Sequence, residues 1–167
     1  MTFEPGGGRA DLRRLRDAFG CFTTGVTVVT TRGPDGGPVG FTANAFASVS
    51  LEPPLVLVCV DLAAKSLPAL EAAGVFVVNV LHAGQEAAAR RFTAKGGDRF
   101  RNVGFETWTT GAPVIDGCMA NFECETAQAF DAGDHRVFVG RILKARMDPD
   151  HAPLVFLRGR YCEARTD

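Results

Sequence analysis

The chain has 167 residues, 46% of them hydrophobic and 22% charged, with a formal net charge of −1 at pH 7. That balance offers no basic surface for nucleic acid and no like-charged tail of the disordered kind. No apolar run approaches the ~18 residues of a membrane-spanning helix, and the opening MTFEPGGGRADLRR has no apolar stretch of a secretory signal, so the expectation is a cytoplasmic protein.

In chain order, residues 1–8 are glycine-rich and read as a flexible segment ahead of a single domain over 9–167. Leu12, Leu15, Ala18, Phe19 and Phe22 fall at helical spacing, with Asp11 as a start signal and Gly20 to Gly25 as the stop. GVTVVTTR is β-branched throughout and reads as a strand; GPDGG is a hairpin turn. PVGFTANAFASVSL reads as one continuous return strand. Its apolar face would be Phe41, Ala43, Ala45, Ala47 and Val49, and its mainly polar face Thr42, Asn44, Phe46, Ser48 and Ser50.

After Pro53-Pro54, LVLVCV is a short buried strand, and Ser66 stands as N-cap of a helix reaching Ala73. VFVVNVL is a further strand, GQEAAARRFTA a helix ending near Gly96-Gly97, and 98–112 a loop with an extended piece at FETWTT. Three strands close the chain, at about Cys118–Asp131, Arg136–Ala145 and Leu154–Tyr161, with DAGDH turning between the first two. Short, closely spaced strands with few helices exclude strict strand–helix alternation and predict a mainly β, antiparallel barrel.

Five cysteines (Cys21, Cys59, Cys118, Cys124, Cys162) are an odd, scattered set without a C-x-x-C pair, and the three histidines lie apart from them. They read as free thiols, with neither a disulfide framework nor a metal site. Three constellations bear on chemistry. Thr42-Ala43-Asn44, followed by Ser48 and Ser50, leaves a low strand surface that a flat ring could approach, or is an ordinary solvated face. Lys65-Ser66, where a loop enters a helix, suits an anion, or is a cap beside a solvated lysine. Asp134-His135 at a turn suits proton transfer or a polar ligand, or is surface decoration. Asn79, a polar amide in an apolar strand, needs a partner, which is either neighbouring backbone or a ligand. Arg90 and Arg91 end a helix and suit a phosphate or the helix dipole. Trp108 and Tyr161 read as packing residues. No P-loop, dinucleotide-binding glycine pattern or nucleophile–base triad is present.

Taken in order, FGCFTTGVTVVTT, GFTANAFASVSLEPPLVLVCV, Lys65-Ser66, FVVNVL, ARRF, GAPVIDG, NFEC, DAGDHRVFVGRI and PLVFLRGRY resemble the short-chain flavin reductase family, from about Phe19 to Tyr161. The resemblance implies a Greek-key split β-barrel, usually a homodimer, that binds FMN or FAD and uses NADH or NADPH to reduce it. It further implies that reduced flavin passes to a flavin-dependent monooxygenase. By position, Thr42, Ala43, Asn44 and Ala45 would line the isoalloxazine, and Ser48, Val49 and Ser50 the ribityl chain and phosphate, with Lys65 and Ser66 near the phosphate. Cys59, Val60 and Asp61 would follow from the next strand, and Asn79 and Phe92 would close the site. The resemblance adds Asp134 and Tyr161 to this set. His135, in the G-D-H turn, would be the catalytic-site residue beside the nicotinamide. Ala45 replaces a frequent serine and Lys65 a frequent arginine, which alters a hydrogen bond near the ring and the fork presented to the phosphate. Two other roles of the same fold are a tight FMN electron carrier and a flavin-retaining oxidase of an organic substrate.

Overall fold

The computed structural model describes residues 3, 6, 8–148 and 150–164; the expected flexible segment 1–8 lies largely outside them. The elements are α1 (Arg9–Phe19), β1 (Thr24–Gly25), β2 (Thr27–Arg32), β3 (Pro38–Ala43), β4 (Phe46–Leu51), β5 (Pro54–Asp61), α2 (Leu67–Ala73), β6 (Val75–Val80), a 3-10 turn (Ala83–Gln85), α3 (Glu86–Thr93), β7 (Phe105–Thr107), β8 (Pro113–Ile115), β9 (Ala120–Ala132), β10 (His135–Met147), β11 (Leu154–Leu157) and β12 (Arg160–Glu163).

Seven strands form one antiparallel sheet in the order β3-β2-β6-β9-β10-β5-β4. β3 and β4 are its opposite edges, yet only Asn44 and Ala45 separate them in the chain. Three Cα–Cα links reach about 11 Å at most. The sheet therefore has to curl until its two edges meet at that corner, which makes a barrel split along the seam.

This break overturns the continuous strand expected over Pro38–Leu51. The chain leaves β2 after Ala43 and joins β5 at Phe46, and the alternation changes phase between them. Ala45, Ala47 and Val49, expected on the apolar face, are exposed. Phe46, expected on the polar face, packs against the core beside Phe122, ring centroids 6.1 Å apart. Three other expectations are corrected. Leu154–Tyr161 is a hairpin, β11 and β12, turning at Arg158-Gly159. α1 is preceded by Gly8 rather than started at Asp11. Ser66 makes no capping bond: its backbone is already helical (φ −82°, ψ −16°), and Pro68 in the first turn removes one donor that a cap would satisfy.

β2 is buried on both faces, which is why TVVTTR shows no polar alternation. Val29 joins the barrel interior with Val56, Val58, Val60, Phe76, Val78 and Phe138. Val26 and Val28 join a second cluster, with Leu81, Ala89, Phe92, Phe100, Ile115 and Leu154, under α3. Gly140 on β10 lies against the first cluster. A Cβ there would stand 2.4 Å from the Phe76 ring and 2.9 Å from Cys124 Cβ.

Asn79, in the middle of β6, is 0% exposed. Its Nδ2 donates to Val28 O (2.9 Å) and Thr30 Oγ1 (3.0 Å); its Oδ1 accepts from Ile115 N (2.9 Å) and Asn121 Nδ2 (2.8 Å). The amide thus ties β6 to β2, β8 and β9 through both of its polar atoms. Glu123, also buried, accepts through Oε1 from Thr110 N and Thr110 Oγ1, both at 2.8 Å.

The β10–β11 connection is held to the start of the 3-10 turn by the His82–Pro153 bridge and the Ala83 N to Ala152 O bond. There the His82 ring stacks on His151 at 4.5 Å, and its Nδ1 accepts the Gly84 N–H. Burial, then the neighbouring His151, hold the His82 pKa below its ordinary 6.5, while Asp148 opposes them. Because that pKa is lowered on folding, unfolded chains take up this proton first as pH falls.

Three outcomes follow for stability. Gly140→Ala should lose about 1–3 kcal/mol by overpacking, read as a lower urea midpoint. Asn79→Ala strands buried partners and should cost at least about 1–3 kcal/mol, without a specific loss of ligand affinity. The His82 contribution should be complete above pH 6.5 and decline as pH drops through the lowered folded-state value; a His82→Asn variant should show a flatter denaturation midpoint across that window.

Candidate active site

β5 alternates strictly. Val56, Val58 and Val60 point into the barrel, and Leu57 and Cys59 are half-buried on the outer face. β4 pairs with β5 on one side, and β10 pairs with it on the other, starting with His135 opposite Asp61. The Asn44–Ala45 break lies at the near end of β4. Across from this floor stand the end of α1 and the Arg158-Gly159 turn. Together they enclose a cleft of about 1200 Å³, open to solvent, whose floor is Asn44, Ala45, Phe46, Ala47, Leu57, Cys59 and His135.

The break gives the floor its polar groups. Asn44 O accepts from Phe46 N (3.0 Å), and Ala45 O accepts from Cys59 N (3.1 Å). Among the described residues, the backbone N–H groups of Asn44 and Ala45 find no acceptor, and both residues are exposed. Strand residues normally spend their amides on a ladder; these two are left for a ligand. Ala45 and Ala47 keep the surrounding surface low, so a planar group can reach them.

His135 Nδ1 lies 2.6 Å from Asp134 Oδ1. This hydrogen bond, then the charge of His135, hold the Asp134 carboxyl below the usual carboxylate range. With Nδ1 engaged, Nε2 is the nitrogen left for a ligand. Burial raises the Cys59 thiol above its ordinary 9.0, so it is protonated at neutral pH and serves as an apolar lining group rather than a nucleophile. Among the described residues no group of three or more His, Cys, Asp or Glu side chains is placed to hold a metal ion.

Of the residues singled out in the sequence, the cleft brings together Asn44, Ala45, Cys59 and His135. The others lie elsewhere in the structure. Val60, 2% exposed, and Ala43 belong to the barrel core, and Phe92 to the second cluster. Asn79 spends its amide inside the fold. Thr42 turns away and donates to Ala89 O of α3 (2.6 Å). Tyr161 packs on Phe156 (5.4 Å) with the Arg90 guanidinium over its ring (5.0 Å). Ser48, Val49, Ser50, Asp61, Lys65, Ser66 and Asp134 lie outside the cleft lining. Ser48 and Val49 are exposed on β4, with Val49 the extra residue of a bulge between Ser48 and Ser50. Asp61 Oδ1 accepts from Ala63 N (2.7 Å) and shapes the turn toward α2, where Lys65 is exposed and Ser66 buried.

Leu57, Phe46 and Ala47 complete the floor, although the sequence does not single them out as site residues. The end of α1 was legible as a helix but not as a wall. Its signal was Phe19 and Phe22, apolar residues that stay 68% and 78% exposed beside the cleft.

The family model described as a flavin reductase like domain matches residues 19–165. An FMN reductase (NADH) of Agrobacterium fabrum is 46% identical over 160 residues, which cover 96% of this chain and 89% of that protein. The reductase subunit of a flavin-dependent monooxygenase of Rhodococcus jostii is 40% identical, covering 94% of this chain and 80% of its own. Among solved structures, an NADH:FAD oxidoreductase of Streptomyces globisporus superimposes with TM-score 0.91 at 41% identity, over 100% of this chain and 98% of that one. The same enzyme in complex with NAD and FAD fragments gives TM-score 0.90 at 42% identity, with the same coverage. With the open cleft, the split barrel and these matches in hand, the chain belongs to the flavin reductase-like domain family.

Proposed function

We propose that the protein is an NAD(P)H-dependent flavin reductase that supplies reduced FMN or FAD to a flavin-dependent monooxygenase. The observation that carries this is the pair of unspent amides at Asn44 and Ala45, on a floor of small residues, in one cleft with His135. The residues fit a flavin. The alanines admit a flat ring, Leu57, Phe46 and Cys59 give it apolar contact, and two N–H donors await its polar edge. The relatives named as NADH-dependent FMN and FAD reductases, and as the reductase subunit of a monooxygenase, support the donor, the flavin and the recipient.

The chemistry supplied by the bound pair is hydride transfer from a reduced nicotinamide to the flavin ring. The Asn44 and Ala45 amides are fixed donors toward the ring edge that gains negative charge, and fixed donors stabilise such charge without reorganising. His135, oriented by Asp134, would hold the nicotinamide of the donor. No side chain acts as a required acid or base. Ala45 contributes through its backbone, so the missing serine hydroxyl removes a second hydrogen bond but leaves the amide. Ser48 and Ser50 run along β4 opposite Val56 and Leu55, whereas Lys65 and Ser66 follow Asp61 at the other end of β5; they would serve the ribityl chain and phosphate from those two ends.

The protein works in the cytoplasm as a homodimer. Edge strand β4 carries Leu51, 95% exposed, and Val49, while Leu143 and Met147 stand exposed on β10. Burying them on a second copy would cover an apolar edge that water otherwise meets. No helix among the described residues is long and apolar enough to cross a membrane.

Purified protein should oxidise NADH or NADPH only when FMN, FAD or riboflavin is added; failure of every flavin to stimulate oxidation sinks the reading. His135→Ala should raise the KM for the nicotinamide donor more than it lowers kcat, and unaltered steady-state kinetics would remove His135 from the site. Leu51→Glu should shift the sedimentation of the protein from dimer toward monomer.

A further inference from the structure

The wall of the cleft facing the floor is unlike the floor. It is built from the C-terminal end of α1 and the two-residue turn between β11 and β12. The two pieces are clamped together. Arg158 N donates to Gly20 O at 2.8 Å, and a Cβ on Gly20 would stand 3.3 Å from Arg158 Cα, so a larger residue at position 20 would push the turn away. Arg158 itself has φ +49°. The left-handed region is uncommon for arginine and is readily taken by glycine or asparagine. The chain thus keeps an arginine at a position where local conformation favours another residue, and that position is on the cleft.

Arg16, in the last turn of α1, lines the same wall. Among the described residues neither guanidinium has an ion-pair or hydrogen-bond partner through its side chain, whereas Arg90, Arg136, Arg141 and Arg146 are each paired with a carboxylate. Asp17 is the one carboxylate on the wall, and the carbonyl end of α1 adds partial negative charge. Two fixed positive charges outweigh them. Phe19, Phe22 and Phe156 provide exposed or half-buried aromatic surface beside the guanidinium groups. Unpaired guanidinium groups recognise phosphate oxygens, and aromatic faces accept a purine by stacking.

We propose that this wall binds the adenosine diphosphate part of a dinucleotide, with Arg16 and Arg158 on the diphosphate and the phenylalanines on the adenine. The proposal rests on the reductase reading, in which the reacting rings occupy the floor. It makes the α1–hairpin wall the element that distinguishes dinucleotides from mononucleotides. Both NADH and FAD carry this moiety, and the wall discriminates for whichever of them extends across the cleft.

The test uses the full chain and two variants, R16A/R158A and R158G. In calorimetric titration with ADP alone, the double variant should bind about tenfold or more weakly than the parent, as loss of charge-assisted hydrogen bonds does. R158G should melt no lower than the parent, since glycine relieves the left-handed turn, yet it should also lose ADP affinity. In turnover with FMN, the preference for NADH over reduced nicotinamide mononucleotide should shrink about tenfold in R16A/R158A. If the shrinkage appears instead in the preference for FAD over FMN, with the mononucleotide as donor, the moiety recognised is that of the flavin. Undetectable ADP binding by the parent, or equal ADP affinity in parent and variants, overturns the proposal. Parent protein that binds ADP but oxidises no donor with any flavin would overturn the reductase reading and leave the wall standing.

Discussion

Everything at the site depends on a two-residue link. Asn44 and Ala45 join the opposite edges of a seven-stranded sheet, and so short a connection forces the sheet to close on itself at that corner. Closure buries Val56, Val58 and Val60 inside the barrel and turns Leu57 and Cys59 outward. It also takes two residues out of the ladder, and their amides emerge without partners in the open cleft. The geometric device that closes the barrel therefore also makes the hydrogen-bond donors of the site. Few other places in a β-barrel could supply exposed backbone donors, because strand amides are normally consumed by neighbours.

The interior polar groups serve a different end. Asn79, Asn121 and Thr30 form a satisfied network joining β2, β6, β8 and β9. A network of this kind fixes register where Val-rich strands could slide past one another, since every misplaced register would strand an amide. Glu123 does the same for the turn ahead of β8 by accepting twice from Thr110. Rigid support of this kind behind the floor keeps the cleft in one geometry.

Charge is divided between the two sides of the cleft. The floor offers neutral donors, a histidine oriented by Asp134, and a thiol kept protonated by burial. The wall offers guanidinium groups and phenylalanines. Neutral donors suit a ring whose charge changes during reaction, while fixed cations suit phosphates whose charge does not. The arginines of the outer sheet surface are spent otherwise, on carboxylates such as Glu71, Asp131 and Glu125.

The sequence by itself determined the mainly β character, most of the strands, the two central helices and the turn carrying His135, because alternation, β-branching and turn residues act locally. It also determined the family, through the order of GFTANAF, the Lys65-Ser66 pair and DAGDH. It left Asn79 undecided between a core partner and a ligand, and it did not show that the side chains of Ala43, Val60 and Phe92 are buried in the core. A residue's face depends on strand phase, and the phase reset at Asn44-Ala45 is not written in residue types: GFTANAFASVS reads as one strand. Only the tertiary structure decided which small polar residues face the cleft, since that follows from sheet closure. Only it brought the end of α1 against a hairpin more than 130 residues downstream, because a wall made of two distant segments leaves no contiguous motif.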